Sequence, residues 1–320
     1  MPRLVRVRPL EDAGITRVRA GSGFRYVDHR GRSAAARDVA RIRTLVIPPA
    51  WQEVWICRES RGHIQAVGTD DAGRRQYVYH PDWSANRDRN KYARALALGE
   101  SLPRARARVT SALRRSALDR EKVLAVAFRL LDLGAPRVGS ARYLAAHGSR
   151  GLTTLQRRDV VAEPPRITLS FPGKSGKRAH IVIDDADLAA VVADLAQGRP
   201  RAALLSYRRG RRRVPLSPSD VNAYVRALTG GRFTAKDFRT LRGTILAAEA
   251  LARIGTVDTK ADRRRAEQLA VRATAEALGN TPAVARSSYI DPRVFRHYAR
   301  GRLLDLDISP ESAIRELLGG

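Results

Sequence analysis

Apolar positions change period near residue 90: short alternating runs bounded by turn residues come first, and apolar residues at helical spacing follow. Gly23-Phe24-Arg25-Tyr26-Val27-Asp28 alternates as a strand does and enters a turn at His29-Arg30-Gly31. Residues 51–57, after Pro48-Pro49, predict another strand. Residues 64–68 and 76–80 predict two more, joined by Thr69-Asp70-Asp71-Ala72-Gly73, whose aspartates and glycine suit a hairpin connection. Together these pieces predict a small sheet.

The later pattern is helical. Residues 109–133 place Leu113, Val123, Ala127, Leu130 and Leu131 at helical spacing, with Gly134 as the stop. Leu241, Ile245, Ala248 and Ala252 repeat the spacing, and residues 263–278 form another helix ended by Gly279. Thr281-Pro282 begins the next one with a capping hydroxyl and a proline at the first position, which leaves Asn280 at a corner between helices. The exception is residues 167–171 and 181–183, two strands joined by a basic, glycine-rich tip at 172–180. The expected fold class is therefore α+β: a β-rich N-terminal domain (1–90), then a larger, mostly helical domain (91–320) with a short β-hairpin. The boundary falls near Asn86 to Lys91.

Charge narrows the partners. Lys plus Arg number 60 against 32 Asp plus Glu, a formal net charge of +28, which points to a polyanion. Only Lys91, Lys122, Lys174, Lys177, Lys236 and Lys260 are lysine. Arginine forks to phosphate, although GC-rich coding would enrich it too. Residues 199–213 hold seven Arg and no acid, as a solvated loop or as a phosphate contact. Cys57 is the single cysteine, so an internal disulfide and a Cys-based zinc site are excluded and a reducing compartment is expected. No apolar run of about 18 residues occurs, and Met-Pro-Arg-Leu-Val-Arg at the start lacks a signal-peptide stretch. The expectation is a cytoplasmic protein without membrane contact.

His-Glu-x-x-His, Gly-x-Ser-x-Gly, phosphate-loop and dinucleotide signatures are all absent. Asp184, Asp185 and Asp187 follow a strand and precede a helical run, where acids favour a helix N-terminus more than a metal site. Neither a metal nor a cofactor is expected. Three boxes remain: Pro136-Arg137-Val138-Gly139-Ser140-Ala141-Arg142-Tyr143, Lys236-Asp237-Phe238-Arg239-Thr240-Leu241-Arg242, and Leu278-Gly279-Asn280 followed by Ser288-Tyr289-Ile290.

In order and spacing these boxes resemble those of the type IB DNA topoisomerases, in their bacterial and poxvirus-like form, and of the related tyrosine recombinases. The resemblance implies that Tyr289 attacks a DNA phosphodiester, with Arg137, Arg239 and Asn280 on its nonbridging oxygens. A guanidinium stays charged and forks to two oxygens, which suits charge developing on phosphate. Asn280 stands where many relatives have histidine, and an amide donates without moving protons. Lys174, at the family's Gly-Lys position in the hairpin, is the expected acid for the 5′-oxygen leaving group, with Lys177 as the alternative.

Residues 71–80 are similar to the Gly-Arg-Lys-Gln-Tyr-x-Tyr element of the topoisomerases, with Arg75 replacing Lys. That element implies contacts from Gln76, Tyr77 and Tyr79 to the DNA major groove. Alternation alone puts Tyr77 and Tyr79 on one face, where they could simply cover the sheet. Tyr143 inherits a DNA contact, and Arg142, Lys177 and Lys236 join the expected set. A β-rich N-terminal part favours topoisomerase over recombinase, whose catalytic half usually follows a helical bundle. A non-enzymatic basic nucleic-acid binder is the other alternative. The resemblance implies double-stranded DNA as partner, ATP- and metal-independent relaxation through a 3′-phosphotyrosyl link, a monomer, and nucleoid association.

Overall fold

A computed structural model describes residues 3–319. The chain divides into two compact units between Asn90 and Lys91.

In the first unit, β1 (Gly14–Ala20), β2 (Gly23–Asp28), β3 (Gln52–Cys57), β4 (Ile64–Thr69) and β5 (Arg75–Tyr79) form an antiparallel sheet in the order β2-β1-β3-β4-β5. One face buries Ile15, Val54, Ile56 and Ala66 with Ile42 of helix α1 (Ala36–Thr44). The other buries Trp55, Cys57, Ile64 and Val67. Strand β1 escapes the hydrophobic pattern because a core position on it is an arginine. The Arg17 guanidinium is buried, donating to Pro48 O at 3.0 Å and also to Trp51 O, and lies 4.2 Å from the Phe24 ring centre. A charge there is satisfied by backbone carbonyls, of which Pro48 O also accepts the Trp51 N–H at 3.2 Å.

From residue 81 onward the chain differs from expectation in several places. Helix α2 (Pro81–Leu113) runs unbroken through residues 86–91, the expected boundary, and that stretch has neither Gly nor Pro to stop it. The single helix expected over 109–133 is two. After α2 ends, Asp119 caps α3 (Arg120–Gly134) by accepting the Lys122 N–H at 2.9 Å. Gly134 is the last helical residue and Ala135 takes the left-handed cap. Glycine is needed at 134 for a close approach: a Cβ there would sit 2.9 Å from Ile181 Cγ2.

The expected hairpin is two strands of a three-stranded antiparallel sheet, β6 (Val160–Glu163), β7 (Arg166–Pro172) and β8 (Arg178–Asp184), with a 3-10 turn, Lys174–Gly176, at the tip. Asp184 pairs with Arg166, Asp185 caps α5 (Ala186–Ala196), and Asp187 pairs with Arg114, so each acid has a structural task. Among the described residues no acid, His or Cys cluster could hold a metal. The arginine-rich stretch contains a ribbon, β9 (Ser206–Arg209) and β10 (Arg212–Pro215), where a loop was one reading.

Helices α4 (Ala141–His147), α6 (Pro218–Thr229), α7 (Ala235–Ile254), α8 (Lys260–Ala277), α9 (Pro282–Ser288), α10 (Pro292–Tyr298) and α11 (Pro310–Gly319) complete the unit. Nearly every residue of α3 from Val123 to Leu131 is buried in one continuous core. Arg106 ties α2 to Asp132 of α3 at 2.8 Å and to Glu311 of α11 at 2.5 Å. No described helix is long and apolar enough to cross a membrane.

Candidate active site

Four of the residues singled out in the sequence meet where α3, α7, α8 and α9 come together. Arg239, on the second turn of α7, is 4% exposed. Its Nη1 donates to Ala135 O at 2.6 Å and its Nη2 to Leu278 O at 2.8 Å. Those are end carbonyls of α3 and α8, where partial negative charge accumulates and a cation is stabilised.

Arg137 follows α3 in a loop whose shape depends on two glycines. Gly139 has φ +75°, and a Cβ on it would stand 2.9 Å from Gly151 Cα. The loop is also sewn down by backbone bonds, Leu152 N–H to Arg137 O at 2.8 Å and Thr153 N–H to Val138 O at 2.9 Å. Arg137 Nη2 donates to Asn280 Oδ1 and, at 3.2 Å, to Gly279 O. Gly279 takes φ +58° to turn the chain out of α8, which brings Asn280 back toward Arg137. The Asn280 amide is thereby oriented: its oxygen faces Arg137, and its buried Nδ2 has no partner among the described residues.

Tyr289 ends α9, with its ring centre 4.9 Å from the Arg239 guanidinium carbon. Burial raises the phenol pKa, but the charges of Arg239, then Arg137, then Lys236 outweigh it and leave the group below its ordinary value. Burial and the neighbouring Arg239 also lower Arg137, partly offset by Tyr289. Two contacts missed in the sequence hold the tyrosine backbone. Thr244, one turn beyond Arg239, donates through Oγ1 to Tyr289 O at 3.2 Å and accepts from Asp291 N–H at 3.1 Å. Gly243 leaves room for the segment, since a Cβ would stand 2.9 Å from Tyr289 O.

Gly243→Ala therefore should displace the tyrosine. Overpacking of this kind costs about 1–3 kcal/mol of stability, and an ångström of misplacement about 100-fold in rate. With Tyr289 in the nucleophile's role that the sequence resemblance implies, the expected phenotype is a folded protein whose single-turnover cleavage is slowed at least tenfold, roughly, with duplex binding retained. Wild-type rates would show that this close approach positions nothing.

A cleft beside these groups is lined by Arg137, Arg150, Lys174, Lys177, Arg239 and, as the one acid among its described lining residues, Glu276. Lys174 and Lys177 are exposed on the hairpin tip. Neither Arg137 nor Arg239 has a carboxylate partner among the described residues. Partly desolvated cations left to carbonyls and an amide make a strong anion site. The other expected contacts lie elsewhere. Arg142 and Tyr143 are exposed on α4 and do not line the cleft, and Tyr143 is 58% exposed. In the N-terminal unit, Gln76 Nε2 donates to Asp70 Oδ2 at 2.7 Å across its own hairpin, while Tyr77 and Tyr79 stack at 5.9 Å on one face. Arg150, Gly243, Thr244 and Glu276 had no signal in the sequence, because each acts through residues brought near by the fold.

The geometry is that of a cation-lined cleft with a phenol against one of its lining arginines, carried by a helical unit that follows a small sheet. Comparison with known proteins agrees with it. Residues 80–300 match the family described as the eukaryotic DNA topoisomerase I catalytic core, and residues 23–70 match the bacterial DNA topoisomerase IB N-terminal domain. The chain is 28% identical over 285 residues to a DNA topoisomerase 1B of Acanthamoeba polyphaga mimivirus, covering 87% of this chain and 85% of the relative. It is 21% identical over 259 residues to a DNA topoisomerase I of Monkeypox virus, with 80% and 78% coverage. A DNA topoisomerase 1B of Vaccinia virus is 25% identical over 133 residues, 42% of each chain. The chain belongs to the type IB DNA topoisomerase family. The match over residues 23–70 decides between the two relatives named by the sequence motifs, because it falls on the part where recombinases and topoisomerases differ.

Proposed function

We propose that this enzyme relaxes duplex DNA by attack of Tyr289 on one strand, and that the observation carrying the reading is the set of donors around one point. Arg239 lies over the phenol, Arg137 is linked to Asn280, and the Asn280 Nδ2 is buried and unclaimed. A scissile phosphate bound there receives two guanidinium groups and an amide on its nonbridging oxygens. The bond from Tyr289 Oη to phosphorus forms as the bond to the 5′-oxygen breaks, and Lys174 delivers the proton that the leaving oxygen needs. The products are a 3′-phosphotyrosyl link and a free 5′-hydroxyl. Because the link keeps the phosphodiester energy, the reverse attack reseals the strand without ATP, and torsion drives rotation between the two steps. The cleft's own cations supply the charge neutralisation that phosphoryl transfer demands, so the reaction proceeds without a metal or small-molecule cofactor.

In this reading residues 91–320 carry the chemistry and residues 1–90 clamp the duplex through Gln76, Tyr77 and Tyr79. Arg142, Tyr143, Lys177 and Lys236 contact DNA around the cleft. The enzyme acts as a monomer in the cytoplasm, on the nucleoid. Supercoiled plasmid incubated with the protein in EDTA and no nucleotide should relax from either sign of supercoiling. A strict need for magnesium or ATP would overturn the mechanism.

Asn280→Asp tests the amide separately. The substitution is isosteric and keeps an oxygen for Arg137, but it replaces the Nδ2 donor with a second acceptor. Removing one such donor from a developing oxyanion costs about 100- to 1,000-fold, and that is the expected fall in single-turnover cleavage. An unimpaired Asp variant would show that the amide nitrogen faces something other than phosphate.

A further inference from the structure

We infer that Arg150 is a positioning residue that sets the distance between the proton-donating hairpin and the phosphate clamp; the inference rests on the roles proposed above for Lys174 and Arg137. Arg150 stands where the two pieces meet. Its backbone N–H donates at 2.7 Å to Pro172 O, the end of β7 and two residues before Lys174. Its neighbour Gly151 lies against the other piece. A Cβ on Gly151 would stand 2.5 Å from Arg137 O and 2.6 Å from Gly139 N, so this contact admits only glycine.

The side chain fixes that junction. Arg150 Nη2 donates to Asp159 Oδ1 at 2.9 Å, and Nε lies 2.8 Å from Asp159 Oδ2. The two side chains are 11% and 3% exposed, so solvent screens this hydrogen-bonded ion pair weakly. Asp159 also accepts the Gln156 N–H at 2.8 Å and directly precedes β6, the strand paired with β7. One guanidinium thus ties the start of β6 to the segment that touches both Pro172 and Arg137.

Arg150 lines the cleft, but its charge is matched by Asp159, so it adds little to the field at a phosphate. What it supplies is placement. The tip that bears Lys174 is closed by the Gly173 N–H to Lys177 O bond at 2.7 Å, and its reach into the cleft is set at the stem. Proton transfer requires the donor within about 2.6–3.2 Å of the oxygen. A stem released from Arg150 lets the tip move while Arg239, Asn280 and Tyr289, held by α7, α8 and α9, stay in place.

The test uses the full chain and two matched duplexes, one with the ordinary 5′-oxygen at the cleavage site and one with 5′-sulfur, a leaving group that needs no proton. Arg150→Met keeps the stem's bulk and removes the charge and its hydrogen bond to Asp159. The expected result is cleavage slowed roughly 10- to 100-fold on oxygen, near wild-type cleavage on sulfur, and unchanged duplex binding. Asp159→Asn should reproduce it, and the double variant should be no slower than either single one. Should Arg150→Met not fold, Arg150→Lys, which keeps the charge without the guanidinium Nη2 bond, carries the same expectation. Equal slowing on both leaving groups would overturn the inference. Lys174→Ala in parallel separates the two readings: rescue there without rescue in Arg150→Met sinks the positioning role alone, and no rescue in either sinks the acid role with it.

Discussion

Tyr289→Phe should bind duplex DNA as the wild type does and form no covalent adduct, a loss of about a millionfold in cleavage, the scale seen when a nucleophile is deleted. The side chain keeps its ring beneath Arg239 and loses only the hydroxyl, so folding has no reason to suffer. In the wild type the same oxygen sets the pH response. Burial raises the phenol, and Arg239, Arg137 and Lys236 together lower it further, so the attacking phenolate becomes available below the usual value of about 10. Cleavage should therefore climb with pH and level off before that value. Removing the Arg239 charge, as in Arg239→Gln, should push the limb upward. Gel analysis of SDS-stopped reactions across pH checks both statements, and persistent adduct in Tyr289→Phe would move the nucleophile elsewhere.

Lys174→Ala should slow cleavage of ordinary DNA by about 100- to 10,000-fold, the range for a lost general acid, and most of that loss should vanish with a 5′-sulfur leaving group. The expectation follows from position. Lys174 is the lysine at the turn that begins the hairpin tip, and it lines the same cleft as Arg137 and Arg239. Lys177 shares the tip and the cleft, so Lys177→Ala is the control. It should weaken duplex binding and its salt dependence more than the chemical step. Sulfur rescue of Lys177→Ala in place of Lys174→Ala would reverse the two assignments.

The grouping of the candidate site was more legible in the sequence than the details of the architecture. Arg137, Arg239, Asn280 and Tyr289 stand in boxes whose order and spacing are distinctive, and the structure gathers those four side chains. The sequence contains the partners but not their pairing: Arg137 and Asn280 are 143 positions apart. Strands β2 and β5 could be read because inner and outer positions alternate, and β3 and β4 because short apolar runs lie between turn residues. Strand β1 could not, since its buried Arg17 reads as an exposed residue until its carbonyl partners are seen.

Two other differences have similar causes. The ribbon of β9 and β10 sets Arg209 opposite Arg212 and Arg208 opposite Arg213, pairings that local charge disfavours. Burial of Leu204, Leu205 and Leu216 at its base supplies the compensating contacts, and these are tertiary. The break between α2 and α3 is decided by the Asp119 cap against a continuing apolar period. Glycines show the same limit. Gly134 reads as a helix stop and Gly151 and Gly243 carry no signal, whereas each permits a close approach between segments distant in sequence.

Among available measurements, mass mapping of the protein–DNA adduct is the most direct. Denaturant-stopped reactions on a short duplex are digested with protease and nuclease, and the nucleotide-bearing peptide is sequenced. The account predicts a 3′-nucleotide phosphate on Tyr289 and a free 5′-hydroxyl on the other fragment. A label on any other residue, or a 5′-phosphate attached to the protein, would contradict it.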